Sequence, residues 1–268
     1  MHKLRDRWAD ARRQLEESAW TASSVADTVR AGPEKAFDDH GLVPARWKRA
    51  GAIAGLIAAV LLVVTLLLLS SLPSADSPAQ AVAAHLRARY ALTVTASYIG
   101  VLTSMALIPF ASSLRAFTRG RGADAEWRWT ATLLSAAAGV SLLLVGSTLL
   151  GAAAVLARQT ADAVDGPAVC ALYAAAKVCL SFALTPFGVV VLANARAVSS
   201  GMTPVRWLVR LDVEIGILAL VSSAAVFIHS GWFSAGEQVA VVIGVLVALW
   251  ITAIALVMLE GAEVAVPG

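Results

Sequence analysis

Six long apolar stretches, separated by short segments that hold nearly all the charge, constrain this chain more than any motif in it. They cover residues 50–71, 91–114, 130–157, 168–195, 211–231 and 238–259. The hydrocarbon core of a bilayer is about 30 Å thick, and a helix needs about 20 apolar residues to cross it. Leu, Ile, Val and Ala dominate the stretches, without the alternation of a barrel strand. Lipid offers a bare backbone no hydrogen bonds, so each stretch must satisfy its own amides as a helix. Only Lys177, Asp212 and Glu214 among the charged residues fall inside them. Composition agrees: 59% of the 268 residues are hydrophobic and 15% charged, where a soluble domain carries about 25% charged. A soluble globular enzyme, a disordered chain and a disulfide scaffold are excluded. The expected fold class is all-α, a polytopic membrane helix bundle with six transmembrane helices.

Lysine and arginine in the loops give the orientation. Ten precede the first span, four lie in the loop 115–129, and three (Arg196, Arg206, Arg210) lie between spans four and five. The opposite loops hold Arg87, Arg89 and Arg158. This asymmetry predicts both termini in the cytoplasm, an N-in/C-in protein of the plasma (inner) membrane with the lipid bilayer as its first partner. Ala79-Gln80-Ala81 has the small-x-small form of a signal cleavage site, but the preceding apolar run is too long for a signal core. The first span is therefore read as a retained anchor. The net charge of +3 reports topology, and no nucleic-acid partner is expected.

Three regions follow: a cytoplasmic head 1–49, a transmembrane domain 50–260 and a short tail 261–268. In the head, Leu4, Trp8, Ala11, Leu15, Ser18, Ala22, Val25 and Val29 recur at helical spacing and draw one stripe along an amphipathic helix over 2–30. Ala31-Gly32-Pro33 ends it, since glycine favours a C-cap and proline cannot continue a helix. Leu4, Trp8, Leu15, Val25 and Val29 form a candidate partner face. That face can pack on the protein's own bundle, self-associate or bind another protein, or lie on lipid. Its small residues make a poor zipper seam, and six cations against five anions over 1–30 attract anionic lipid weakly. Trp47 among Arg46, Lys48 and Arg49 reads as an interfacial anchor. In the first outer loop, after Pro73 and Pro78, residues 77–90 are expected to form a short interfacial helix.

Ionisable groups inside a membrane cost at least about 2.5–3.5 kcal/mol near a helix centre, so each needs a reason. Lys177 lies about 13 Å into span four at 1.5 Å per residue. With Tyr173, Ser181, Thr185 and Gly188 it forms a polar stripe of helical spacing that should face the bundle interior. Pro186, beside Thr185, removes the backbone bond to the carbonyl of Phe182. This stripe is a candidate ion or substrate site. The plainer reading is a lysine that snorkels outward or is held by one buried carboxylate. On span five, Asp212 shares its side with Gly216, Ala219, Ser223 and Ser230, while Glu214 points nearly opposite. Small residues permit close helix approach, so Asp212 is the better bundle-facing acid. One expectation is that Asp212 or Glu214 neutralises Lys177 across spans four and five. The alternative is that both acids sit at headgroup level beside Arg206 and Arg210. His229 is read as a solvated interfacial histidine, Gly51-x-x-x-Gly55 as a packing face, and Pro109 as a kink. Cys170 and Cys179 lie nine residues apart on one apolar span and frame neither disulfide nor metal. With no zinc-protease, phosphate-loop or nucleophile-elbow motif, no catalytic residue, cofactor or metal is expected.

Leu184-Thr185-Pro186-Phe187-Gly188, the inner loop Gly201-Met202-Thr203-Pro204-Val205-Arg206-Trp207-Leu208, and Trp250 in the last span resemble a broad class of bacterial six-span integral membrane proteins. In that class a Pro-x-x-Trp turn opens span five and a tryptophan sits in span six. The resemblance covers about residues 90–260, implies the fold, and carries over no catalytic residue. Asp212 and Glu214 depart from the apolar helix it implies. The expected function is a non-enzymatic membrane component that organises or regulates a partner through its head. One alternative is a small-molecule or ion transporter using the polar faces of spans four and five. Another is a membrane-embedded enzyme acting on a lipid or isoprenoid.

Overall fold

The structure is a computed structural model, and it describes residues 45–74, 77–118, 123–159, 166–197, 206–223 and 238–263. The head face (Leu4, Trp8, Leu15, Val25, Val29) and His229 lie outside the described residues. Among the described residues the chain forms seven helices and no strand: α1 Ala45–Leu69, α2 Ala79–Ala88, α3 Tyr90–Thr118, α4 Ala123–Gln159, α5 Gly166–Ala197, α6 Arg206–Ser223 and α7 Gln238–Glu263.

Five of them, α1, α3, α4, α5 and α7, are long and apolar enough to cross a membrane, which is consistent with a membrane protein. The sixth expected span, 211–231, coincides with α6 only as far as Ser223. Arg206, Arg210, Asp212 and Glu214 all fall within the 18 residues of α6, so this part of it is not an apolar span. Several helices outrun the spans read from hydropathy. α4 begins at Ala123, seven residues before the expected span at Thr130, and α7 continues to Glu263, beyond the expected end at Leu259. Hydropathy marks where lipid begins, whereas a helix continues until its backbone hydrogen bonds run out.

The six longer helices pack as a ring, each on its two neighbours, in the order α1, α3, α4, α5, α6, α7 and back to α1. Short connections make consecutive helices neighbours. A core of Ala52, Phe110, Val191, Val247, Trp250, Ile251 and Ile254, among others, fills the ring. Large apolar side chains such as Ile53, Ile57, Val60 and Leu67 on α1 face outward. Apolar surface gains nothing by leaving lipid, so small residues that bring backbones close must hold such a ring together. At Gly51 an added Cβ would collide with the Ser113 side chain, and at Gly55 it would lie 2.5 Å from Phe110 Cδ2. As the α1 number rises the α3 number falls, so this pair is antiparallel. The Gly51-x-x-x-Gly55 face is thus the bed on which α3 lies.

The expected interfacial helix over 77–90 forms as α2, with Pro78 at its N-cap and a break at Arg89. It does not lie free at a surface. Val82 and Leu86 are fully buried against Leu150, Ala153, Val169 and Tyr173, so α2 caps one end of the ring over α4 and α5. Arg87 Nε donates to the Ala157 carbonyl at 2.9 Å, and Arg158 stacks 4.5 Å from the Tyr90 ring centre. The first contact pins this cap to α4, and the second joins α4 to the start of α3.

Candidate functional site

The polar residues of α5 serve two places near opposite ends of the helix. Close to the α2 end, Tyr173 is fully buried and its hydroxyl donates to the Pro73 carbonyl, tying the loop before α2 to α5. One turn further on, Lys177 is only 7% exposed, with Nζ 5.6 Å from the centre of the Tyr173 ring. Ser181 follows, also buried, while the half-buried Thr185 has a hydroxyl oxygen shielded from solvent and without a hydrogen-bond partner. Pro109 and Pro186 both sit inside continuous helices.

Lys177 and Ser181 border a cavity of about 100 Å³ inside the ring. Its wall comes from α1 (Leu62, Thr65, Leu66), α5 (Ala176, Leu180, Leu184) and α7 (Gly244, Val247, Ile251), with Leu143 and Leu150 of α4 behind. Among the described lining residues, Lys177, Ser181 and Thr65 supply the polar side chains. The Thr65 hydroxyl donates to the Leu61 carbonyl of its own helix at 2.8 Å, which leaves its oxygen able to accept. Burial disfavours a charged amine unless partners offset it, and Lys177 meets the Tyr173 ring and has a further partner besides.

Towards the other end of α5 lies a second polar centre. Asp212 of α6 is 0% exposed and accepts two hydrogen bonds, from Asn194 Nδ2 at 2.9 Å and from Trp250 Nε1 at 2.6 Å. Three helices therefore meet on one carboxylate. Beside it, the α5 and α6 backbones cross at paired glycines. A Cβ on Gly188 would lie 2.9 Å from the Gly216 carbonyl oxygen, and one on Gly216 would lie 3.1 Å from that of Gly188. Only glycine at both positions lets α6 approach closely enough for Asp212 to reach Asn194. The Asn194 carbonyl oxygen is buried without a hydrogen-bond partner.

These positions decide the pairing expected for Lys177. Asn194 is 17 residues beyond Lys177 on α5, about 25 Å away at 1.5 Å per residue. Asp212 is within hydrogen-bond reach of Asn194, so it does not pair with Lys177. Glu214 is exposed on the outward face of α6. The two acids thus point apart, Asp212 inward and Glu214 outward. An acid with both oxygens engaged and no exposure cannot take part in chemistry on a substrate without first giving up Trp250 or Asn194.

Asn194 was absent from the sequence-derived candidates because it lies off the Lys177 stripe, seven residues beyond Phe187 and on that residue's face. A usable signal was present. It is the only asparagine in the chain, and a buried acid must find donors on neighbouring helices. Trp250, noted through the resemblance, is the second donor. Cys170 and Cys179 are free thiols, both half-buried. A scan against models of protein families, a search of curated proteins and a search of solved structures each found no match.

Proposed function

We propose that this chain is a non-enzymatic, multi-pass protein of the inner membrane that takes a small molecule into its bundle at the cavity beside Lys177. In this reading it crosses the membrane six times, with both termini in the cytoplasm. The positive-inside asymmetry and the placement of α6 within a ring of five apolar helices support that topology. The observation that carries the functional reading is the cavity itself, whose described lining residues are apolar apart from Lys177, Ser181 and Thr65. Pockets that hold small molecules are mostly apolar with a few placed polar groups. The described lining residues offer few groups to replace the hydration shell of a small ion, so binding or passage of a lipophilic molecule fits them better than ion conduction. The isoprenoid-enzyme reading needs acids converging at one surface, and Asp212 and Glu214 diverge.

Photolabelling tests this proposal. Full-length protein in neutral-lipid nanodiscs is exposed to butanol bearing a terminal diazirine, a probe small enough for the chamber. Labels are then mapped by peptide mass spectrometry. The expected result is labelling of wall residues such as Leu62, Leu184 and Val247, lost when Ala183→Phe or Ala240→Phe fills the chamber. Labels confined to outward residues such as Ile57, Leu134 and Val242, and unchanged in both variants, would overturn it.

A second reading concerns the head. We also propose that the stripe read from Leu4 to Val29 engages a protein or a second copy of the chain. Cross-linking with and without residues 1–35 tests this, and an unchanged set of partners would refute it.

A further inference from the structure

We infer that the junction of α5, α6 and α7 is a proton-binding site: Asp212 takes up one proton reversibly, and the Asn194 amide turns over as it does so. The site stands apart from the cavity beside Lys177 and needs nothing from it.

The first observation is what surrounds the acid. Asp212 is fully buried, and its partners are two neutral N–H groups, Trp250 Nε1 on Oδ1 and Asn194 Nδ2 on Oδ2. Among the described residues no cation pairs with it. On α6, Arg210 and Glu214 are exposed, as is Glu260 on α7. On α5, Cys170, Tyr173, Lys177 and Cys179 all lie more than about 20 Å along the helix from Asn194. The side chains of Arg196, Arg206 and Glu263 lie outside the described residues. A buried charge without an opposite charge is costly, and a proton removes it.

The second observation is Asn194. It is 3% exposed, and its Oδ1 is buried without a hydrogen-bond partner. Its amide is therefore held at one end alone, by the acid. With the carboxylate ionised, the Asn194 N–H donates to it, as the structure shows. A proton from water on Asp212 Oδ2 makes that oxygen a donor. A half turn of the amide then presents Asn194 Oδ1 to accept it, and the two ends of an amide are nearly alike in size. One hydrogen bond is exchanged for another, the new O–H is the single covalent bond formed, and Trp250 keeps its acceptor. Asp212 lies six residues into α6, about 9 Å from Arg206, so the proton has a short way to travel from that end of the bundle. A sodium ion fits poorly, because both groups facing the carboxylate present the positive ends of N–H dipoles, where an ion needs several oxygens.

Asn194 is the only asparagine in the chain, so full-length protein grown with side-chain 15N-asparagine carries one labelled side-chain amide. In lipid bilayers, solid-state NMR from about pH 8 to about pH 4, a range that spans carboxyl titration, should show that signal move reversibly as a one-proton titration. Infrared difference spectra of the wild type should show a protonated-carboxyl C=O band rising with the same midpoint. Asp212→Asn should give two amide signals, neither moved by pH, and Glu214→Gln should leave the wild-type titration intact. If Asp212→Asn does not fold, the shared midpoint in the wild type and its persistence in Glu214→Gln still decide. A wild-type amide signal that stays fixed across the range would overturn the inference. So would movement that persists in Asp212→Asn, titration lost in Glu214→Gln, or a signal that follows sodium concentration at constant pH.

Discussion

Asp212 shows how much one buried side chain can be asked to do. Its carboxylate receives the indole N–H of Trp250 and the amide of Asn194, so a single residue joins α5, α6 and α7. Removing it strands two donors, each worth about 1–3 kcal/mol when left unpaired. Asp212→Leu is therefore expected to destabilise by about 3 kcal/mol, measured by thermal denaturation of the purified protein in detergent. Asp212→Asn makes a sharper comparison. The introduced amide keeps an oxygen for one donor and offers an N–H towards the bare Asn194 oxygen, so its cost should stay within about 1 kcal/mol. If the two variants lose equal stability, the carboxylate is not acting through these hydrogen bonds. Trp250→Phe removes one donor and part of a fully buried ring, with an expected loss of about 2–4 kcal/mol.

Between elements, the bundle is decided where two helices touch through glycine. Gly188 and Gly216 bring α5 and α6 to backbone contact, and that approach carries Asp212 to Asn194. A Cβ on Gly216 would also lie 2.5 Å from Leu192 Cγ. Gly216→Val should push the helices apart and cost about 2 kcal/mol. Leu218→Val, on the exposed face of the same helix, should stay within about 0.5 kcal/mol. Pairing Gly216→Val with Asp212→Leu adds a test: the crossing and the hydrogen bonds share one cause, so their losses should sum to less than additive. Full additivity would mean that the crossing does not position the acid. The inward face of α6 was legible in the one-sided spacing of Asp212, Gly216 and Ala219. Its partners were not, because spacing places a residue on a helix face but says nothing of the neighbour that face meets.

For the whole molecule, α6 decides the topology. If it crosses the membrane the chain makes six passes and its termini share a side; if it does not, the termini part. Reporter fusions at residue 1 and after residue 268, read for cytoplasmic fluorescence or periplasmic phosphatase activity, should both report cytoplasm. A periplasmic C-terminus would limit the chain to five crossings. The five apolar helices and the helix after Pro78 follow from the chain's own pattern, because hydropathy and proline act through contacts a few residues long. Lys177 was legible as an interior cation for the same reason, by its stripe with Tyr173 and Ser181. What the folded ring alone decided is which distant groups meet. Lys177 and Asp212 look like a natural pair on adjacent spans, yet about 25 Å of α5 separates them. Trp250, 38 residues beyond Asp212, is the residue that meets it. Depth along a helix and the neighbour across a ring depend on how the helices are arranged in three dimensions, and no local pattern in a chain records that.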